Sequence, residues 1–136
     1  MTNAALDLQQ SIFKILLADS ELGTELNGQK IYDQVPDRVK PPYVVVGRTT
    51  ADDWSTSTEN GEAVTVFIHV WSDSCSRTQC HLLQTHLKRL LHDQPQSLEN
   101  HHLVALRLQF SETRRDLRSG HLHGVMRFRG VTETAF

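Results

Sequence analysis

Eight histidines are the residues of this 136-residue chain best suited to chemistry, because neutral imidazole is the commonest metal ligand. The densest grouping is His101-His102 with His121-x-His123. Neighbouring antiparallel strands could bring these together, and His121 and His123, two apart on a strand, would share a face. The pattern goes no further. There is no HExxH, and Cys75 and Cys80 lack the spacing of a zinc ribbon. His81 and His86, five apart, do not stack on one helical face. Ordinary surface or rim histidines are the expectation, with no metal and no other cofactor.

Other chemistries lack a local context. Ser, His and Asp are plentiful, but no GxSxG elbow singles out a nucleophile. Cys80 lies in a leucine stripe, the setting of a small core residue more than of a reactive thiolate. The glycines are scattered and none fits GxxxxGK[ST] or GxGxxG, so a nucleotide cradle is not expected. Arg107, Arg114, Arg115 and Arg118, with Arg127 and Arg129, cluster in one predicted hairpin, and the planar guanidinium fork suits phosphate. Aromatic stacking partners are few there, only Phe110 and Phe128, both expected to face the core. A small nucleic-acid-associated protein using hairpin 107–129 is therefore the alternative reading, and no enzymatic activity is expected.

The elements that would position these residues follow from periodicity. Residues 3–18 place Leu6, Ile12, Phe13, Leu16 and Leu17 largely on one side of a helix, with Thr2 or Asn3 as N-cap and Asp7 early. Asp19 to Gly28 must turn, with room for a short helical turn around Glu21 to Leu26. A short strand over 30–35 leads through the Pro36 to Pro42 connection to an extended run from Tyr43 to Thr50. Ala51 to Gly61 is a polar loop or hairpin tip in which only Trp54 is a large apolar residue. Val64, Val66, Ile68 and Val70 then alternate with Thr65, Phe67, His69 and Trp71, a strand apolar on both faces and hence central.

A second helix, capped by Ser74 or Ser76, carries Cys80, Leu83, Leu87, Leu90 and Leu91 and ends near Asp93. Two strands complete the chain. The first is expected to show Val104, Leu106, Leu108 and Phe110 on one face; the second Leu122, Met126 and Phe128 on one face and Arg127 and Arg129 on the other. Thr113 to Gly120 would connect them. The expected fold is α+β: a mostly antiparallel five-stranded sheet with two amphipathic helices packed on it, in the order helix, three strands, helix, two strands. Residues 1–136 are expected to form a single domain.

At 38% apolar and 22% charged residues, the composition is that of a folded chain, and its length supports a core without staples. The net charge of −2 gives no long-range attraction to nucleic acid or to an anionic membrane. It is uneven, with 8 basic and 13 acidic residues in 1–100 against 6 and 3 in 101–136. These parts either complement each other between neighbouring subunits or are ordinary solvated charge. No apolar run is long enough to span a bilayer, so no membrane partner is expected. Two cysteines and the lack of a signal-peptide pattern point to folding in a reducing cytoplasm.

The order of short segments carries a further signal. Ile31-Tyr32-Asp33-Gln34-Val35-Pro36, Pro42-Tyr43-Val44-Val45-Val46-Gly47, Asp53-Trp54-Ser55-Thr56 and His69-Val70-Trp71-Ser72 are followed by Leu91-His92-Asp93, Leu106-Arg107-Leu108-Gln109-Phe110 and His123-Gly124-Val125-Met126-Arg127-Phe128-Arg129. In this order they resemble the small tail completion proteins of long-tailed phages, prophages and gene transfer agents, also described as tail terminator or tail-to-head joining proteins. The resemblance spans nearly the whole chain. It departs from the family pattern at Gln29-Lys30 and in the Cys and His content of the second helix.

The resemblance implies a structural virion protein without enzymatic activity. It would form a ring, commonly hexameric, on the head-proximal end of the tail tube, stop tube growth and meet the head-side connector. Implied partners are copies of itself, as a hexameric ring or as monomers before assembly, the major tail tube protein and a head-completion or connector protein. DNA would pass through the lumen without sequence-specific binding. The implied location is the virion tail at the head-tail junction, with the host cytoplasm during assembly. Terminator and joining roles both remain open. The expected contact regions are the loop with Asp52, Asp53, Trp54 and Glu59, and the basic hairpin with Arg114, Arg115 and Arg118, flanked by Arg127 and Arg129.

Overall fold

The computed structural model describes residues 3–73 and 77–134. Helix α1 (Ala4–Ala18) starts at Asn3, whose side chain accepts the Leu6 N–H at 2.8 Å. Thr2, the other expected cap, lies outside the described residues. The buried stripe of α1 is Ala4, Leu8, Ile12 and Leu16, a four-residue ridge, together with Asp7. Leu6 and Leu17, expected on that stripe, are exposed. Leu6 is two residues from Leu8, about 200° around the helix, so both cannot face the core.

A second full helix, α2 (Ser20–Leu26), occupies what the sequence allowed only as a turn, so the helices number three and not two among the described residues. Asp19 caps it by accepting the Leu22 N–H at 2.9 Å, and Leu22 and Leu26, four apart, bury its inner side. Asn27 ends it in the left-handed conformation at φ 58°, a role Asn fills with little strain. Strand β1 is only Ile31–Tyr32, shorter than expected, because the chain bends away at Asp33. It runs parallel to β2 (Tyr43–Asp53), making the sheet mixed, although every other strand pairing is antiparallel.

β2 and β3 (Gly61–Ser72) extend further toward each other than expected, leaving a tip of residues 54–60. Helix α3 (Arg77–Leu91) follows; its expected caps, Ser74 and Ser76, lie outside the described residues, as does Cys75. β4 (His101–Arg115) and β5 (Leu122–Thr134) form a long hairpin. Its turn is tied by Asp116, whose carboxylate accepts from the Ser119 N–H and hydroxyl at 3.0 and 2.8 Å.

The strand order β1-β2-β3-β5-β4 puts β3 in the middle, where its two-sided apolarity belongs. One face, with Val44, Val46, Val64, Val66, Ile68, Val70, Met126 and Phe128, joins Leu8, Ile12, Leu22, Leu83 and Leu87 of the helices in a single core. Asp7 fixes α1 to the start of β4. Its buried carboxylate accepts the N–H groups of Glu99 and Asn100 at 3.2 and 2.9 Å and meets His101 Nδ1 at 2.9 Å. The opposite face carries Thr65, Phe67, His69 and Trp71, each half-buried.

β4 departs most from expectation. Only Leu106 of its four expected core residues is fully buried, while Val104 and Phe110 are exposed. The register slips between Leu103 and Ala105 and again between Leu108 and Phe110, so Val104 and Gln109 are extra residues in the ladder. Each extra residue shifts the alternation by one, and the second slip carries Phe110 to the open face.

Candidate assembly surface

Cross-strand partners share a face, so the register sorts the open face into rows. The first row is Tyr43, Trp71, His123 and Arg114. Trp71 and His123 stack with centroids 4.1 Å apart and planes within 4°, and Tyr43 stacks on Trp71 at 6.4 Å, with Tyr32 of β1 beyond it at 6.2 Å. The second row is Val45, His69, Val125 and Glu112. His69 Nδ1 lies 2.9 Å from His123 Nε2, joining the two rows through one shared hydrogen bond. Burial holds both imidazoles below the usual histidine range; at His123 the charges of His69 and Arg114 add to it, against Asp116 and Glu112.

The third row alternates cation and ring. Phe67, Arg127 and Phe110 are partners across β3, β5 and β4, with Arg127 5.4 Å above the Phe110 ring and Arg48 5.6 Å above Phe67. The sequence pattern puts Phe110 in the core; the register slip makes it a stacking partner for arginine instead. The fourth row sets Arg129 beside Thr65 and directly opposite Arg107. Arg107 also reaches Asp93 at 3.1 Å.

Past these rows the charge changes sign. On this face Asp52 pairs with Ala63 and Glu133 with Gly61, while Asp53 pairs with Glu62 on the helix side of the same end. A hydrogen bond to Glu59 raises Glu133 above the ordinary carboxylate range, with desolvation and repulsion from Glu59 adding to it. Among the described residues no ion pair neutralises Asp52, Asp53, Glu59, Glu62 or Glu133.

Asp52 and Asp53 are therefore the last residues of β2, not loop residues. Trp54 and Glu59 lie in the tip, which is built from turns: Thr56 N–H donates to the Glu59 carbonyl at 2.8 Å, and the Ser55 hydroxyl to Asp53 at 2.7 Å. Trp54 is 46% exposed. Arg114 and Arg115 end β4, Arg118 stands in the turn that follows, and Arg127 and Arg129 lie mid-strand on the open face. The two expected contact regions do not come together. They sit at opposite ends of the twelve-residue β3 and its neighbours, roughly 35 Å apart.

The fold also gathers residues the sequence did not single out. Tyr43, Phe67, His69, Trp71 and Arg48 read as a second apolar face and an isolated charge until the register sets them side by side. The histidines weighed as a metal site, His101-His102 with His121 and His123, do not gather: His101 bonds to Asp7 and His123 pairs with His69. Among the described residues no three of His, Cys, Asp or Glu gather as metal ligands, and no helix is long and apolar enough to cross a membrane.

Two kinds of comparison with known proteins find likenesses. The model of the family described as "Tail completion protein gp17" matches residues 10–133. Among solved structures, a chain of the "Virion of native gene transfer agent (GTA) particle" superposes with a TM-score of 0.88 at 24% identity, covering 97% of this chain and 99% of that one. At that identity the likeness is one of fold. No curated protein matches.

Proposed function

This chain belongs to the family of the tail completion protein gp17, and from that premise we propose that it closes into a ring at the head-proximal end of the tail, ends the tail tube and joins it to the head connector. It is a structural protein of a phage-type tail. In the proposed role residues 1–136 act as one domain, and the work is done by shape and charge, with no catalytic step.

One observation carries the ring. The acidic end of the sheet, at Asp52, Asp53, Glu59 and Glu133, and the arginines of the central rows and the β4–β5 tip occupy separate parts of one chain. Row spacing is about 7 Å, so the charges at Glu133 and Arg129 lie more than a Debye length apart and do little to neutralise each other within the subunit. Between copies the unlike parts can meet. Such a contact joins different patches on the two partners, the heterologous kind that closes into a ring when the rotation permits.

The proposed partners are further copies of the chain in a hexameric ring, the major tail tube protein on one side and a head-completion or connector protein on the other. Asp52, Asp53, Trp54 and Glu59, with Arg114, Arg115, Arg118, Arg127 and Arg129, are the proposed contact groups. DNA passes through the lumen without sequence-specific contact, and subunits wait in the host cytoplasm before assembly. Sedimentation of the purified chain, alone and mixed with tail tube protein, tests this. A ring-sized species in at least one condition is expected; a monomer in both contradicts it.

A further inference from the structure

The arginine rows are an unbalanced charge arrangement. Arg107 and Arg129 are direct cross-strand partners, a like-charge pairing that ordinarily costs stability. Arg127 stands two residues along β5 on the same face, and Arg48 hangs over Phe67. Among the described residues the only acid in an ion pair with any of these four is Asp93, on Arg107. The rows also carry two rings, Phe67 and the 44%-exposed Phe110, each already flanked by a guanidinium.

The β2–β3 tip has the opposite character. Asp52, Asp53, Glu59, Glu62 and Glu133 crowd one end of the sheet, and the Glu59–Glu133 contact puts two carboxyl groups against each other. Trp54 projects there with 46% of its surface exposed. Each patch holds what the other lacks: carboxylates for arginines, and an indole for a cationic, ring-lined seat where it can stack on guanidinium.

We infer that the β2–β3 tip of one copy docks on the arginine rows of the next, with Asp52 and Glu59 facing Arg127 and Arg129 and Trp54 stacked over the Arg127 guanidinium where it stands between Phe67 and Phe110. This rests on the ring reading above and names its contact. A second copy fits better than nucleic acid, because a polyanion laid along this face would run from the arginines onto Asp52 and Glu133 of the same sheet. The contact is heterologous and leaves the tip with Arg114, Arg115 and Arg118 to meet an unlike partner.

Charge exchange tests it on the full chain in the presence of tail tube protein. The pair Asp52→Arg and Glu59→Arg, and separately the pair Arg127→Glu and Arg129→Glu, should each lower the ring fraction at least tenfold by sedimentation. Combining all four should restore it to within about threefold of wild type, which loss of folding could not do. Thermal unfolding of each variant provides an independent check that the monomer is intact. Rings unaffected by any variant, or a combined variant no better than its parents, would place the contact elsewhere while leaving the ring reading standing. A wild-type chain that never multimerises would end both. Salt-sensitive DNA retention lost in the Arg127/Arg129 variant, with rings intact, would assign the rows to nucleic acid and overturn the inference.

Discussion

His69 and His123 stand on adjacent strands with Nδ1 and Nε2 2.9 Å apart, so that one proton is shared between two half-buried rings. Burial holds both below the ordinary histidine range, and at His123 the neighbouring His69 adds to the shift. The unfolded chain therefore binds more protons than the folded one as pH falls below about 6.5. The charged groups facing His123 are Arg114, Glu112 and Asp116, and only the two acids oppose the shift. Stability should be level on this count above about pH 7 and decline from about 6.5 downward. Replacing His69 with Gln should flatten that decline. A thermal melting series from about pH 8 to about pH 5 spans the histidine range and measures it, and identical slopes in the two proteins would contradict it.

Gly124 lies where α3 crosses β5. A Cβ there would come 2.5 Å from Gln84 Nε2 and 3.1 Å from Cys80 Sγ. Gln84 cannot easily swing aside, since its amide donates to Thr113 Oγ1 at 2.6 Å. Gly124→Ala should cost about 1–3 kcal/mol by denaturant unfolding. Gly23, inside α2 with nothing within 4 Å of where its Cβ would sit, should behave oppositely, Gly23→Ala gaining about 0.5–1 kcal/mol.

Asp7 is the one buried carboxylate among the described residues, and it links α1 to the Glu99–His101 segment through three contacts. Burial alone would raise its pKa, but hydrogen bonds from His101, Asn100 and Glu99 outweigh it and hold the group below the usual range. Its contribution to stability is thus present above about pH 4 and lost as pH falls through the lowered value. Asp7→Ala strands two N–H groups and should cost about 2–4 kcal/mol in chemical denaturation. A cost under about 0.5 kcal/mol would mean the contacts are not maintained in solution.

Trp54 places its ring edge 3.6 Å from where a Cβ on Gly61 would sit, and nearly half of its surface is open to solvent. Trp54→Ala should leave the melting temperature within a few degrees of wild type yet reduce ring formation with tail tube protein at least tenfold. A large loss of stability would make the indole a folding residue and remove it from the contact.

How much of the fold and of the assembly surface is legible in the sequence depends on which interactions set each feature. The Val64 to Trp71 alternation is a local pattern, and it locates the central strand and its two-sided character. Likewise Leu122, Met126 and Phe128 against Arg127 and Arg129 define the two faces of β5. The helix α2 is half visible, since Asp19 is both the end of one helix and the cap of the next, and periodicity over seven residues is too short to separate a helix from a turn. Val104 and Phe110 depart from their expected places because a bulge depends on the partner strand, and nothing within β4 records that Val104 and Gln109 are extra. The rows of the open face are illegible for the same reason: they exist only across strands. Individual arginines can be named, but not that Arg127 lies on Phe110 or that Arg107 faces Arg129.

In the proposed role this chain is a tail-end component that stops the tube and holds it to a head. Electron microscopy of particles made without its gene measures that directly, by tail length and head attachment. Tails of excess and scattered length, detached from heads and corrected by supplying the wild-type chain in trans, are the expected result. Tails of normal, uniform length still joined to heads would contradict it.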